Sequence, residues 1–191
     1  TLILLHGTGG SERDLVPIGR KLAPNAALLS VGGRVTENGQ ARYFRHLPDG
    51  GYDFADLAVQ TTWLLATIEA ALAAHHREAR HAIVVGYSNG ANIAAYALAH
   101  RPVPWRDAVL FHPLALDAQP ATQPLKGRHV WLSHGAGDPY ADAANFAQLI
   151  EMLKAAGAAT TAFTHDRGHQ LTPEELKAAT QWCAQSGRTR T

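Results

Sequence analysis

Ser88 lies between two glycines in Gly86-Tyr87-Ser88-Asn89-Gly90, after the apolar run Ala82-Ile83-Val84-Val85 and before Ala91-Asn92-Ile93-Ala94-Ala95-Tyr96. A strand, a sharp turn and a helix in that order hold a serine hydroxyl exposed at the tip of the turn. The glycines relieve crowding there, and the helix N-terminus behind the serine favours negative charge developing in front of it. The chemistry implied is nucleophilic attack. The alternative is a tight strand-to-helix turn carrying an incidental serine, and the complete context argues against it.

A hydroxyl is a weak nucleophile at neutral pH and needs a base, which in turn needs an orienting group. Eleven histidines compete for the first role. His75, His76, His81 and His100 lie at helix ends or just beyond, where a cation offsets the helix dipole. His169, in Asp166-Arg167-Gly168-His169-Gln170-Leu171, follows the last strand and precedes a capped helix. That late position is where the order Ser, Asp, His expects its base. His165 abuts the strand end, is read as facing the sheet, and is the fallback. For the carboxylate, Asp138 in His134-Gly135-Ala136-Gly137-Asp138-Pro139 follows the fifth strand on a loop of small residues. Asp142, which could instead cap the next helix, and Asp117, on a long loop, are weaker candidates.

The tetrahedral oxygen formed by such an attack needs donors. His6-Gly7-Thr8-Gly9-Gly10 follows the first strand, and the backbone N–H groups of Thr8 and Asn89 are the expected oxyanion hole. His6 is read as shaping that loop. A phosphate-binding reading of the glycines fails, because no Gly-Lys-Ser/Thr follows them.

The elements that must position these groups alternate. Strands are expected at 2–5, 26–31, 82–87, 108–111, 129–133 and 160–164, most of them continuously apolar, as strands buried on both faces of a parallel sheet should be. Helices are expected at 14–23, 53–75, 89–100, 142–156 and 173–184. Leu57, Leu64, Ile68 and Leu72 keep to one helical face. Gly157 suits a helix C-terminus, and Thr172-Pro173-Glu174-Glu175 is a helix-start signal. The alternation predicts one α/β doubly wound domain over residues 1–191, with about six strands in a mainly parallel sheet, helices on both faces and no large lid. Two long connections, 32–52 and 112–128, leave from carboxyl ends of strands, where ligands bind in such folds.

Composition narrows the partners. The chain has 191 residues, 46% apolar and 17% charged, with 17 basic against 16 acidic side chains. That is too apolar for a disordered tail and leaves no footprint for nucleic acid or anionic lipid. No run reaches about 18 uninterrupted apolar residues, so no integral membrane association is expected. Cys183 is the single cysteine, which excludes an internal disulfide and makes a reducing, cytoplasmic setting the default. No signal peptide is visible, and the chain opens without Met directly on its first strand, so an upstream segment is expected. The oligomeric state is left open, a homodimer among the options.

Together these motifs resemble the phospholipase/carboxylesterase branch of the α/β-hydrolases, related to acyl-protein thioesterases. Residues 4–14 look like its oxyanion loop and residues 36–45 like its flap; the serine turn, His134-Gly135 with Asp138, and Gly168-His169-Gln170-Leu171-Thr172 complete the set. The resemblance implies Ser88, Asp138 and His169 as a catalytic triad, Thr8 and Asn89 as the oxyanion hole, and no metal or other cofactor. Gly10 and Asn89 depart from the thioesterase pattern towards bacterial carboxylesterases, including hydroquinone-associated hydrolases. The resemblance implies leading strands ahead of Thr1.

The expected substrate is a small-molecule carboxylic ester of small to medium size. A lysophospholipid or acyl thioester is the alternative, and a noncatalytic ligand-binding module is the alternative of another class. Arg34, Arg42 and Arg45, with Tyr43 and Phe44, could line the cleft, or Glu37 could pair with an arginine merely to pin the loop. The set read as substrate-binding is Phe44, Arg45 and Leu114, with Leu116 a further wall candidate.

Overall fold

The computed structural model describes residues 1–188. Six strands form one wholly parallel sheet: β1 (Leu2–Leu5), β2 (Leu28–Ser30), β5 (Ile83–Tyr87), β6 (Asp107–Phe111), β7 (His129–Gly135) and β8 (Ala159–His165), in the spatial order β2-β1-β5-β6-β7-β8. Helices α1 (Val16–Leu22), α2 (Phe54–Ala74), α3 (Asn89–His100), α4 (Ala143–Ala155) and α5 (Pro173–Arg188) cross between the strands or close the chain. The expected architecture is therefore present.

The sheet works because successive side chains point to opposite faces and both faces are covered. Ile3, Leu5, Val84, Ala108, Leu110, Val130 and Leu132 enter a core with Leu57, Leu64 and Ile68 of α2, Ile93 and Leu98 of α3, and Leu149 and Leu153 of α4. Their neighbours Leu2, Leu4, Ile83, Val85, Val109, Phe111 and Trp131 enter the opposite core with Leu22 of α1 and Ala179 and Cys183 of α5. Every residue of β6 is buried, whereas β8, the sheet edge, alternates and carries threonines. By length and composition α2 could cross a membrane. Its Leu57, Leu64, Ile68 and Leu72 are instead buried against the sheet.

Several boundaries differ from expectation; β7 runs on to Gly135 and α5 to Arg188. Helix α1 begins at Val16, because Asp14 is engaged locally by the Ser11 hydroxyl at 2.7 Å. Strand β2 spans three residues only. The connection 32–52 is not structureless: β3 (Val35–Glu37) and β4 (Gln40–Arg42) pair as an antiparallel hairpin. Its turn residues Asn38 and Gly39 sit at φ of 50° and 76°, the left-handed pair that a two-residue hairpin loop requires.

The serine turn is built by close backbone approach. A Cβ on Gly90 would lie 2.2 Å from the Leu5 carbonyl oxygen, so α3 meets the end of β1 backbone to backbone. Gly90→Ala must push these elements apart. We expect a loss of about 3 kcal/mol, read as a fall in thermal midpoint of roughly 6–12 °C by circular dichroism. An unchanged midpoint would show that the contact is not rigid.

Candidate active site

Ser88 is the N-cap of α3 at φ 52° and ψ −116°, a left-handed backbone that a non-glycine residue adopts only where its surroundings impose it. Its own N–H is fixed by the Phe111 carbonyl at 2.9 Å, across the β5–β6 pair. The hydroxyl thus stands at the carboxyl edge of the sheet. The Ser88 hydroxyl donates to His169 Nε2 at 2.8 Å, and His169 Nδ1 donates to Asp138 Oδ2 at 2.7 Å. The three side chains chosen from sequence meet in one hydrogen-bonded line. The imidazole between them is held in the tautomer that can accept a proton from the serine.

Each member of that line is anchored. Asp138 Oδ1 accepts the Tyr140 N–H at 2.9 Å, and its side chain has no solvent exposure. Burial works to raise the Asp138 carboxyl, but hydrogen bonds from His169, the Tyr140 backbone and His112 outweigh it and hold the group below the ordinary aspartate value. The Tyr87 hydroxyl donates to the His169 carbonyl at 2.9 Å, tying the histidine loop to β5. Tyr140 packs edge-on against the His169 ring, with centroids 4.8 Å apart, and is itself exposed.

Thr8, Ser88, Asn89, Leu114 and His169 border one cleft of about 480 Å³, together with Gln40, Arg42, His46 and Tyr52 from the hairpin side. Asn89 is the first residue of α3, where helix geometry leaves the N–H without an intrahelical acceptor. Its side chain acts separately from that N–H, for Oδ1 accepts the Tyr43 N–H at 2.7 Å and clamps the hairpin exit over the serine turn. The loop after β1 is stitched down similarly. His6 Nε2 accepts the Gly33 N–H at 3.0 Å, its Nδ1 faces the Gly7 carbonyl at 2.7 Å, and the Gly9 N–H reaches the Ala41 carbonyl at 2.8 Å.

The substrate-binding set is corrected in two places. Phe44 does not reach the cleft; it is fully buried in the core behind Tyr52, which it meets edge-on with centroids 5.9 Å apart, because removing its apolar ring from water is favourable. Arg45 turns outward and pairs with Asp56 at 3.3 Å and Asp53 at 3.8 Å, where it braces the start of α2. Leu114 does line the cleft, held by its N–H to Asn92 Oδ1 at 2.8 Å. Arg34 lies over the Trp63 ring. Arg42 is the flap arginine at the cleft, and Glu37 pins it at 3.4 Å while also holding His46. The alternative carboxylates are accounted for elsewhere: Asp142 caps α4 through the Asn145 N–H, and Asp117 lies 3.7 Å from His100.

Sequence reasoning missed what lies behind Asp138. His112, at the end of β6, places Nδ1 3.0 Å from Asp138 Oδ2 and Nε2 3.2 Å from Glu175 Oε1, with no side-chain exposure at any of the three. Glu175 also completes the capping box expected at Thr172, in which each residue accepts the other's backbone N–H, at 3.0 and 3.1 Å. His165, the fallback base, faces Glu175 at 3.6 Å and not Ser88. Among the described residues, His112–Asp138–His169 and His112–His165–Glu175 bring metal-ligating atoms within 4.8 Å of one another. In the first, both Nδ1 atoms hydrogen-bond Asp138 Oδ2; in the second, His112 Nε2 and His165 Nε2 lie 3.2 and 3.6 Å from the Glu175 carboxylate, at ion-pair distance.

Comparison with known proteins places this geometry. Residues 44–186 match the phospholipase/carboxylesterase family. The Bacillus subtilis (strain 168) protein MhqD is 40% identical over 181 residues, covering 95% of this chain and 90% of its own length. Among solved structures, the Bacillus cereus carboxylesterase superposes with a TM-score of 0.93 at 38% identity, covering 97% of this chain and 88% of that one. YahD, solved with malic acid, superposes at 0.92 and 33% identity, covering 96% and 92%. The chain belongs to the phospholipase/carboxylesterase family of α/β-hydrolases.

Proposed function

We propose that the protein is a serine carboxylesterase that cleaves esters of small to medium size through an acyl-enzyme on Ser88. The observation that carries this reading is the continuous line of hydrogen bonds from Ser88 Oγ through His169 to Asp138. His169 takes the serine proton as Oγ attacks the carbonyl, and Asp138 stabilises the imidazolium so formed. The tetrahedral oxygen is received by the Thr8 and Asn89 backbone N–H groups. The imidazolium then gives its proton to the departing alcohol. Water, deprotonated by the same histidine, attacks the acyl carbon, and the imidazolium returns that proton to Ser88 Oγ as the Oγ–acyl bond breaks and the acid leaves.

The cleft lining favours short, polar acyl groups. Leu114 is the one aliphatic side chain among its described residues, whereas a long acyl chain would need several. Arg42, Gln40 and His46 at the hairpin side offer polar contacts instead, and the similar protein YahD was solved with malic acid, a short polar acid.

A panel of esters from acetyl to palmitoyl, with matched thioesters and a half-ester of a dicarboxylic acid, tests the proposal. We expect kcat/KM at least tenfold higher for short acyl chains than for palmitoyl, and an acyl-enzyme trappable by acid quench. A preference for long chains would move the reading to a lysophospholipase, and one for thioesters to an acyl-thioester hydrolase. Saturable binding without product or acyl-enzyme would identify a noncatalytic module.

A further inference from the structure

We infer that His112 is a positioning residue that carries a positive charge at neutral pH, bridging Asp138 to Glu175 and so fixing the carboxylate on which His169 depends. The geometry sets the proton count. Nδ1 is hydrogen-bonded to Asp138 Oδ2 at 3.0 Å, Nε2 lies in ion-pair contact with Glu175 Oε1 at 3.2 Å, and none of the three side chains is exposed. A neutral imidazole has one N–H only, so its bare lone pair would be driven against a buried carboxylate with no water to separate them. Protonation at both nitrogens removes that conflict. In line with this, burial opposes the charge, yet Glu175 and Asp138 overcome it and raise His112 above the ordinary histidine value.

The groups around His112 come from four elements or the loops that follow them: Tyr87 from β5, His134 from β7, Asp138 from the loop after it, His165 from β8, His169 from the loop between β8 and α5, and Glu175 from α5. Two of these are carboxylates. Together with a charged His112 they sum to one negative charge, which His169 balances when it becomes protonated during attack. His112 also shares Asp138 Oδ2 with His169, so the carboxylate cannot rotate without breaking both contacts. The left-handed backbone of His112, at φ 52°, shows that the surrounding structure imposes this placement, as it does for Ser88 in the neighbouring strand turn.

The catalytic half of this inference rests on the proposed function; the charge itself does not. It is read by nitrogen-15 NMR of the histidine side chains at pH 7, where both His112 ring nitrogens are expected to be protonated. A single protonated nitrogen overturns the inference, whatever the enzyme does. His112→Asn keeps a residue type that tolerates the left-handed backbone and removes the cation. A positive charge beside Asp138 opposes protonation of His169, so its removal should move the acid limb of kcat/KM upward by roughly half to one pH unit.

A fall in kcat with the limb unmoved would mean a merely structural role, and overturns the positioning claim. Should that variant fail to fold, Glu175→Gln preserves the capping box. It should lower the pH at which His112 loses its second ring proton by about one unit or more, and no change there overturns the bridge. Failure of the esterase reading shows separately, as turnover that survives Ser88→Ala.

Discussion

Ser88→Ala is expected to abolish labelling by a fluorophosphonate and to lower kcat by on the order of 10⁵–10⁶-fold, the scale seen when the nucleophile of a serine triad is removed. The thermal midpoint should stay within about a degree or two, because what is lost is one partly exposed hydroxyl whose hydrogen bond is to His169. Alanine inherits the same φ of 52°, so the backbone strain is neither relieved nor increased. The contacts that impose it, the Ser88 N–H on the Phe111 carbonyl and the Gly90 approach to Leu5, are untouched. Residual turnover should remain above the uncatalysed rate, since the proposed oxyanion donors are backbone groups that the substitution leaves in place. Labelling and activity that both survive would exclude Ser88 as the nucleophile and return the site to an incidental serine in a tight turn.

How far the site was legible in the sequence depended on whether its signals were local. The serine turn was readable because strand, glycines and helix are contiguous, and the structure builds the turn from that local run. Asp138 was readable because it lies on a loop just after the apolar run of β7, and His169 because it lies between the last strand and the helix-start signal at Thr172. The hairpin at 35–42 was missed because three-residue strands show no periodicity. Asn38-Gly39 carried the signal that was overlooked, two residues that favour the left-handed turn. Phe44 was misplaced because residue type alone does not say on which side of a flap a ring falls. The structure sends Tyr43 and Phe44 inward and Arg45 outward.

His112 had no local signal at all. Phe111-His112-Pro113 reads as a strand end, and the partners that give the histidine its meaning arrive from α5 and from the loop after β7. Glu175 was legible only by half. Its spacing from Thr172 announces a capping box, which uses Oε2, and nothing in that spacing tells where Oε1 points.

Asp138→Asn should show how much depends on that convergence, with kcat reduced by about 10³–10⁴-fold at neutral pH and little change in overall fold. The carboxylate receives three N–H groups: Tyr140 on Oδ1, and His169 and His112 together on Oδ2. An asparagine has one oxygen and one NH₂ in the same positions, and neither orientation serves. With the oxygen towards the histidines, the NH₂ meets the Tyr140 N–H, donor against donor. With the oxygen towards Tyr140, the NH₂ meets His169 Nδ1 and forces the ring proton onto Nε2. The imidazole then confronts the Ser88 hydroxyl with a proton instead of a lone pair, and attack loses its base. The same orientation sets an NH₂ against His112 Nδ1, which must then give up its proton on that side. Nitrogen-15 NMR of His169 separates the two arrangements: the wrong tautomer carries its proton on Nε2, whereas the other orientation keeps it on Nδ1 and displaces the Tyr140 loop. A variant with near-native kcat would mean that His169 needs no anion behind it.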